Sequence, residues 1–236
     1  MEFMGRKLRH ELKYFLHIHE YLTIRQRISA VLPLDSNSRS PEGYNIRSLY
    51  FDGPQDHALY DKNDGIFGRR KYRIRIYNED DSIIRLERKS KYGDYVNKEG
   101  ATLTRDAYVK LLEGDASLLR HEEHPLLRDF YMEITQRGFR PAAIVDYIRE
   151  AYVYPYGNVR ITFDKKLSAG IGSFDLFSPH LVLREALDTS RTILEVKYDR
   201  YLPDAIRSLA APSTSNRSAI SKYVICREAA MLHFKP

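Results

Sequence analysis

Cysteine is almost missing from this 236-residue chain. The single Cys226 excludes an intrachain disulfide and fits a reducing compartment, so a cytoplasmic location is expected. Long apolar runs are missing too: none approaches the roughly 20 residues of a membrane-spanning helix. The first fifteen residues are too polar for a secretory signal. Glu2-Phe3 ahead of Met4 reads as a cloning scar and carries no weight. There is no Walker motif. Gly170-Ile171-Gly172 lacks the third glycine and the strand–helix setting of a dinucleotide fingerprint, and reads as a loop. The eight histidines include His17-x-His19 and the run from His121 to His124. Neither has zinc spacing with cysteines, so solvated or capping roles are expected. No linker, repeat or low-complexity tract divides the sequence. Residues 1–236 are therefore expected to form one domain, a size that β-barrels reach undivided.

What the chain does have is charge. Lys plus Arg number 38 against 32 Asp plus Glu, and apolar residues still make up 43%, enough for a core. A basic balance suits an acidic partner: nucleic acid, anionic lipid or phosphates. A merely soluble surface is also compatible with a net +6, so the arrangement of the charge must decide.

Residues 9–17 read as a strand and 21–32 as a helix, with Tyr21, Ile24 and Ile28 at helical spacing. Residues 44–52, 70–77 and 83–89 read as strands, the last two joined by a turn over 78–82. Residues 58–64 read as a short helical turn. Helices are expected over 104–112, with Thr104 as N-cap, and over 117–136. Strands follow at 142–152, 159–163 and 192–198, then helices at 204–209 and 221–234. The Ser-, Pro- and Asn-rich stretches 35–43 and 210–216 read as loops. Strands joined by short loops, with amphipathic helices to cover them, argue for antiparallel pairing in an α+β domain.

Alternate residues of a strand share a face. One face carries Lys71, Arg73, Arg75 and Tyr77; another carries Arg85, Glu87 and Lys89; a third carries Arg9, Glu11 and Lys13. Arg149 and Arg160 lie in later strands, and Glu195 shares a face with Lys197. Two readings remain open here: an antiparallel sheet with one face in water, or a barrel with a charged interior. Like charges on facing strands repel, so their concentration on six strands favours an interior that a polyanion fills.

The runs IRSLYFD (46–52), RKYRIRIY (70–77), RLERKSK (85–91), VDYIREAYV (145–153), VRITFD (159–164), FDLF (174–177), LEVKYDRYLP (194–203) and SKY (221–223) occur in this order. The ordered set resembles the VTC domain, the polyphosphate polymerase domain of the vacuolar transporter chaperone family. It is closest to the short bacterial type, within the triphosphate tunnel metalloenzymes. The resemblance implies an eight-stranded antiparallel β-tunnel with helices packed outside. It implies a phosphotransferase that moves the terminal phosphoryl group of ATP onto polyphosphate, with a divalent cation, Mn²⁺ or Mg²⁺. By the same resemblance Lys13, Arg73, Arg75, Lys89, Arg149, Arg160 and Lys222 fall on the catalytic basic positions. Glu195 falls on the metal-binding Glu, with Glu87 as a helper. Arg9, Arg85, Lys98 (placed in a loop after Tyr92), Lys197 and Arg217 are the further substrate-binding candidates. Asp164 has two readings, a metal ligand or a group that orients Arg160, and the second is expected.

Two departures matter. Ala219 stands where related polymerases carry a second Lys, with Arg217 as a substitute, and Arg9 stands in the first Glu position of the tunnel hydrolases' ExExK motif. The second departure removes a carboxylate that would help activate water, and so tilts the reading towards transfer. The expected ligands are ATP, pyrophosphate and polyphosphate, and not DNA. A membrane-protein partner is compatible with the sequence, and the oligomeric state is not legible. A hydrolase of triphosphates in the same tunnel and a non-catalytic polyphosphate-binding module are the alternatives. For Glu195 alone, a plain salt bridge to a neighbouring strand is the competing reading.

Overall fold

The computed structural model describes residues 2–3, 6–38, 40–63, 66–93 and 95–231. Runs of β-branched and aromatic residues alternating with basic ones form most of the nine strands of one sheet. These are β1 (Arg9–His17), β2 (Tyr44–Asp52), β3 (Arg69–Tyr77), β4 (Asp80–Tyr92), β5 (Tyr95–Leu103), β6 (Arg140–Tyr154), β7 (Val159–Ile171), β8 (Val182–Glu185) and β9 (Arg191–Tyr198). Hydrogen-bonded neighbours run β7-β9-β1-β5-β4-β3-β2-β6, and β6 pairs back onto β7. Eight antiparallel strands therefore close on themselves, and β8 adds to the far half of β7. Closure leaves the eight strands only an inside and an outside, and the period of two assigns side chains to each.

The outward faces are apolar and are covered by helices. Helices α3 (Arg105–Leu112) and α4 (Pro125–Arg137) pack Tyr108, Leu111, Leu127 and Phe130 against Tyr72, Ile74, Leu86 and Leu49. Phe130 stacks on Tyr72 with ring centroids 5.3 Å apart. Helices α1 (Ile18–Ser29) and α5 (Asp204–Ala210) cover Leu16, Ile161, Phe163, Leu194 and Val196. A third cluster lies on the inward face instead: Ala143, Val145 and Ala169 stand in register with Tyr50, Ser48 and Val145, and helices α2 (His57–Asn63) and α6 (Lys222–Met231) join it there. Full burial of each large side chain contributes about 1.5–3 kcal/mol.

Several local expectations are corrected. The helix expected over 117–136 is broken into a 3₁₀ turn (Ser117–Leu119) and α4. Pro125 cannot continue a helix from behind, and His124 stays extended and caps the Leu126 N–H through Nδ1 at 3.1 Å. The turn over 78–82 tightens to Asn78-Glu79, both at positive φ, so β4 starts at Asp80. Gly170 and Ile171 belong to β7 and not to a loop. A Cβ on Gly170 would lie 2.8 Å from the Ile144 Cβ, so the glycine is a close strand contact. β5 and β8 have weak strand patterns and appear only because neighbouring strands pair with them. Lys98 thus sits on β5, not in a loop.

Candidate functional site

The inward faces enclose a cavity of about 1160 Å³. Among the described residues fifteen Lys and Arg side chains line it against three carboxylates, Glu11, Asp80 and Glu195, so the lumen is strongly cationic. The same strands carry Arg47 and Arg88 outward, and there each cation is matched. Arg47 meets Asp146 and Glu79 at 2.8 Å each, and Arg88 meets Glu99 and Asp129. The cations concentrate on the inside of a closed barrel, which removes the reading of a solvated sheet face.

Antiparallel register places the cations. On one wall Arg73 of β3 lies opposite Glu87 of β4, and the guanidinium donates to Glu87 at 2.8 Å and to the Tyr50 hydroxyl at 2.7 Å. Arg75, two residues on, donates to Ser48 and Tyr147 and lies 3.8 Å from Glu87. Lys98 closes on Glu87 from β5. Glu87 is buried behind these cations.

The opposite wall is built around Glu195. In β9 it lies opposite Lys13 of β1 and Thr162 of β7. Its carboxylate receives Lys222 at 2.6 Å, Lys13 at 3.3 Å, Arg149 at 3.4 Å and Lys197. Asp164 takes a two-pronged bond from Arg149, at 2.7 and 2.8 Å, and a second contact from Lys222 at 2.6 Å. The expectation that Asp164 orients Arg160 is corrected: the register Arg149↔Asp164 sets them side by side, while Arg160 turns to Asp35 at 2.7 Å and Tyr44 at 2.8 Å. Glu11 joins the two walls by meeting Lys89 at 2.8 Å and Lys13 at 3.5 Å. Arg9 is held by Asp199 at 2.9 Å, and Arg85 and Arg217 line the same cavity. Thirteen of the fourteen residues named from the sequence therefore line one cavity, and Glu87 stands just behind it.

Sequence reasoning passed over Glu11 and Lys71, although their signal was present. Each shares a strand face with residues that were named. Lys71 donates to the Ser221 hydroxyl at 3.1 Å and lies 4.8 Å from the Tyr223 ring centroid. Tyr44, Tyr50 and Tyr147 also face inward, and nothing in their spacing marks them.

Burial opposes charge throughout the lumen, and the neighbours decide each outcome. For Glu195 burial favours the neutral acid, but Lys197, Lys222, Lys13 and Arg149 together hold it well below its ordinary 4.5. Lys222 is pushed up, because Asp164 and Glu195 outweigh its burial. The lysines without enough compensation go the other way. Burial, then Lys89, Arg69 and Lys13, lower Lys71 to about 7. Burial outweighs Glu11 at Lys89 and Glu87 at Lys98, and both fall to about 7. Below about pH 7 these ammonium groups are charged in both folded and unfolded chains, and the empty barrel bears their full repulsion. As pH rises from 7 towards the ordinary 10.5, the folded protein sheds those protons first and the empty barrel gains stability. A bound polyanion favours the charged forms. Binding of tripolyphosphate at pH 7.5 is therefore expected to take up protons and to weaken as pH rises towards 10. Titration calorimetry in buffers of different ionisation enthalpy checks this, and identical heats in all buffers would remove these lysines from the contact.

Among the described residues no cluster of three or more His, Cys, Asp or Glu forms a protein-only metal cage. Glu195 and Glu11 do face one lumen. Such a donor set fits a hard divalent ion that takes its remaining ligands from phosphate oxygens and water.

The family model described as "VTC domain" matches residues 8–231. No curated protein matches the chain. Solved structures with a similar course of the chain include the PH1819 protein from Pyrococcus horikoshii OT3. It has 15% identity and a TM-score of 0.49, covering 95% of this chain and 98% of that one. The PH1012 protein from the same organism has 11% identity and a TM-score of 0.48, covering 92% and 98%. The Mimivirus capping enzyme triphosphatase has 12% identity and a TM-score of 0.39, covering 86% and 84%.

Proposed function

Because the chain belongs to the VTC domain family, we propose that it is a metal-dependent phosphotransferase. In this reading it moves the γ-phosphoryl group of ATP onto a growing polyphosphate chain. The observation that carries the reading is the closed lumen, lined among the described residues by fifteen Lys and Arg side chains against three carboxylates. A linear polyanion can touch cations on every wall of such a tunnel, which it cannot do on a flat patch. Phosphoryl transfer asks chiefly for positioning and for neutralisation of oxygen charge. Arg73 and Arg75 supply planar forks from one wall. Lys13, Lys89, Arg149 and Lys222 supply charge from the other walls. Arg9, Arg85, Lys98, Arg160, Lys197 and Arg217 hold the flanking phosphates.

Glu195, with Glu11 beside it in the lumen, would hold the Mn²⁺ or Mg²⁺ ion, which supplies neutralisation of phosphate oxygens when bound. Glu87 stands behind the cavity wall and not in its lining, where Arg73, Arg75 and Lys98 engage it, so its part is to fix those cations. The acceptor is a phosphate terminus that is ionised at neutral pH, so no strong general base is needed. This agrees with Arg9 standing where a hydrolase carries a carboxylate. The expected ligands are ATP, pyrophosphate and polyphosphate, and no described helix is long and apolar enough to cross a membrane.

Incubation with ATP and Mn²⁺ or Mg²⁺ is expected to give a ladder of phosphate polymers on a gel. Free phosphate without polymer would make the protein a hydrolase instead. Tight binding of tripolyphosphate with no ATP consumed would make it a binding module.

A further inference from the structure

Every seam of the barrel but one is a ladder of five or more residue pairs. The exception is β1–β5, where among the described residues the paired ones are Arg9 with Val96 and His10 with Tyr95. Past His10 the free edge of β1 takes a different partner, the segment 213–221. Tyr14 bridges to Arg217, the Ser218 N–H donates to the Lys13 carbonyl at 2.9 Å, and Lys13 Nζ donates to the Ile220 carbonyl at 3.0 Å. Lys71 reaches across from β3 to the Ser221 hydroxyl. At the start of the segment Glu20, on α1, accepts from the Ser213 and Thr214 N–H groups at 2.7 and 2.9 Å. It also accepts from the Ser215 hydroxyl at 2.6 Å. Of residues 213–220 only Ile220 is buried. The contacts described for the segment are thus scattered hydrogen bonds, gathered mostly at Glu20, and one apolar anchor. Lifting it exposes little apolar surface and breaks no ladder, which places it at the low-stability end of the fold.

We propose that residues 213–221 form a side gate, latched by Glu20, through which the barrel takes in an internal stretch of a long linear polyanion without threading an end. This rests on the reading of the lumen as a polyphosphate site. A chain much longer than the tunnel has two ends but many internal stretches. A wall that opens sideways can capture any of them and let the chain go without unthreading it. The gate closes over its cargo for a structural reason. Lys222 follows it directly and points at Glu195 and Asp164. A chain gripped by Lys13, Lys71 and Lys222 ties the gate to β1 and β3 at once. Glu20 touches no ligand in this scheme and is a positioning residue that acts through the 213–215 turn.

The test uses a disulfide across the bridge, Tyr14→Cys with Arg217→Cys, compared oxidised and reduced in the same protein. The probes are tripolyphosphate and a long polyphosphate whose two ends each carry a block as large as streptavidin. Wild type is expected to bind both probes, with tripolyphosphate displacing the blocked chain, and the reduced variant to bind both more weakly, because Arg217 is lost in it. The oxidised variant is expected to bind tripolyphosphate as the reduced one does and to lose association with the blocked chain. Equal association of the blocked chain in both redox states overturns the gate. So does a wild type that binds tripolyphosphate but not the blocked chain. If no form binds tripolyphosphate, the reading of the lumen itself fails, and the gate with it. Glu20→Ala gives a second measurement. Amide exchange over 213–221 should quicken in the empty protein, tripolyphosphate should suppress it, and the blocked chain should leave faster. Exchange there that is as slow as in the β6–β7 ladder, and indifferent to Glu20→Ala, also overturns the proposal.

Discussion

Glu195→Gln is expected to remove phosphoryl transfer at limiting divalent metal and, in the same protein, to lower the melting temperature of the empty barrel. The two effects have one origin. The Glu195 carboxylate is buried and meets Lys13, Arg149, Lys197 and Lys222. Glutamine keeps its shape but carries no charge, so it neither holds a divalent ion nor compensates four cations, of which Arg149 and Lys222 are buried. Leaving buried charge uncompensated costs about 3–5 kcal/mol. For a chain of this length that is on the order of 6–20 °C in melting temperature. The plain salt-bridge role alone would give the stability loss, which tripolyphosphate should largely restore by replacing the missing negative charge. The role in transfer is separated by assaying with saturating ATP below the melting range while varying the metal. Turnover that matches wild type at limiting metal would leave Glu195 as a structural anchor only.

Tripolyphosphate is expected to raise the melting temperature well beyond chloride of equal ionic strength. Among the described residues the lumen is lined by fifteen Lys and Arg side chains against three carboxylates, and their compensation by Glu87 and Asp164 from behind is partial. A ligand that binds only the folded state adds about 2.7 kcal/mol at a hundred times its dissociation constant. Here that is on the order of 5–11 °C. Relief of repulsion is already contained in the affinity and is not added again. Chloride screens charge but cannot bridge Arg73, Lys89 and Lys222, which come from three different elements. Sulfate, a single small anion, should fall between the two. Equal shifts with tripolyphosphate and matched chloride would sink the tunnel as a polyanion site.

Much of the site was legible because strand geometry is local. The period of two in 71–77, 85–89 and 9–13 assigned the basic residues to one face before any strand had a partner. The ordered motifs from 46 to 223 then carried the barrel as a resemblance, which the closed β7–β6 seam bears out. What failed locally failed for stated reasons. β5 has Asn97, Glu99 and Gly100 in place of a β-branched run, and it is a strand because nine residues of β4 pair with it. Asp164 was assigned to Arg160 along its own strand, whereas the ion pair runs across strands to Arg149.

The sequence by itself determined which side chains are basic, which share a face, and that one face of each strand must be covered. Those properties are set within a few residues of chain. Only the tertiary structure decided that the charged faces turn inward on one another, that Glu195 gathers four cations from β1, β6, β9 and α6, and that β1 and β5 part to leave a seam for 213–221. Those are matters of register and closure between residues far apart in the chain, on which a single strand's pattern is silent.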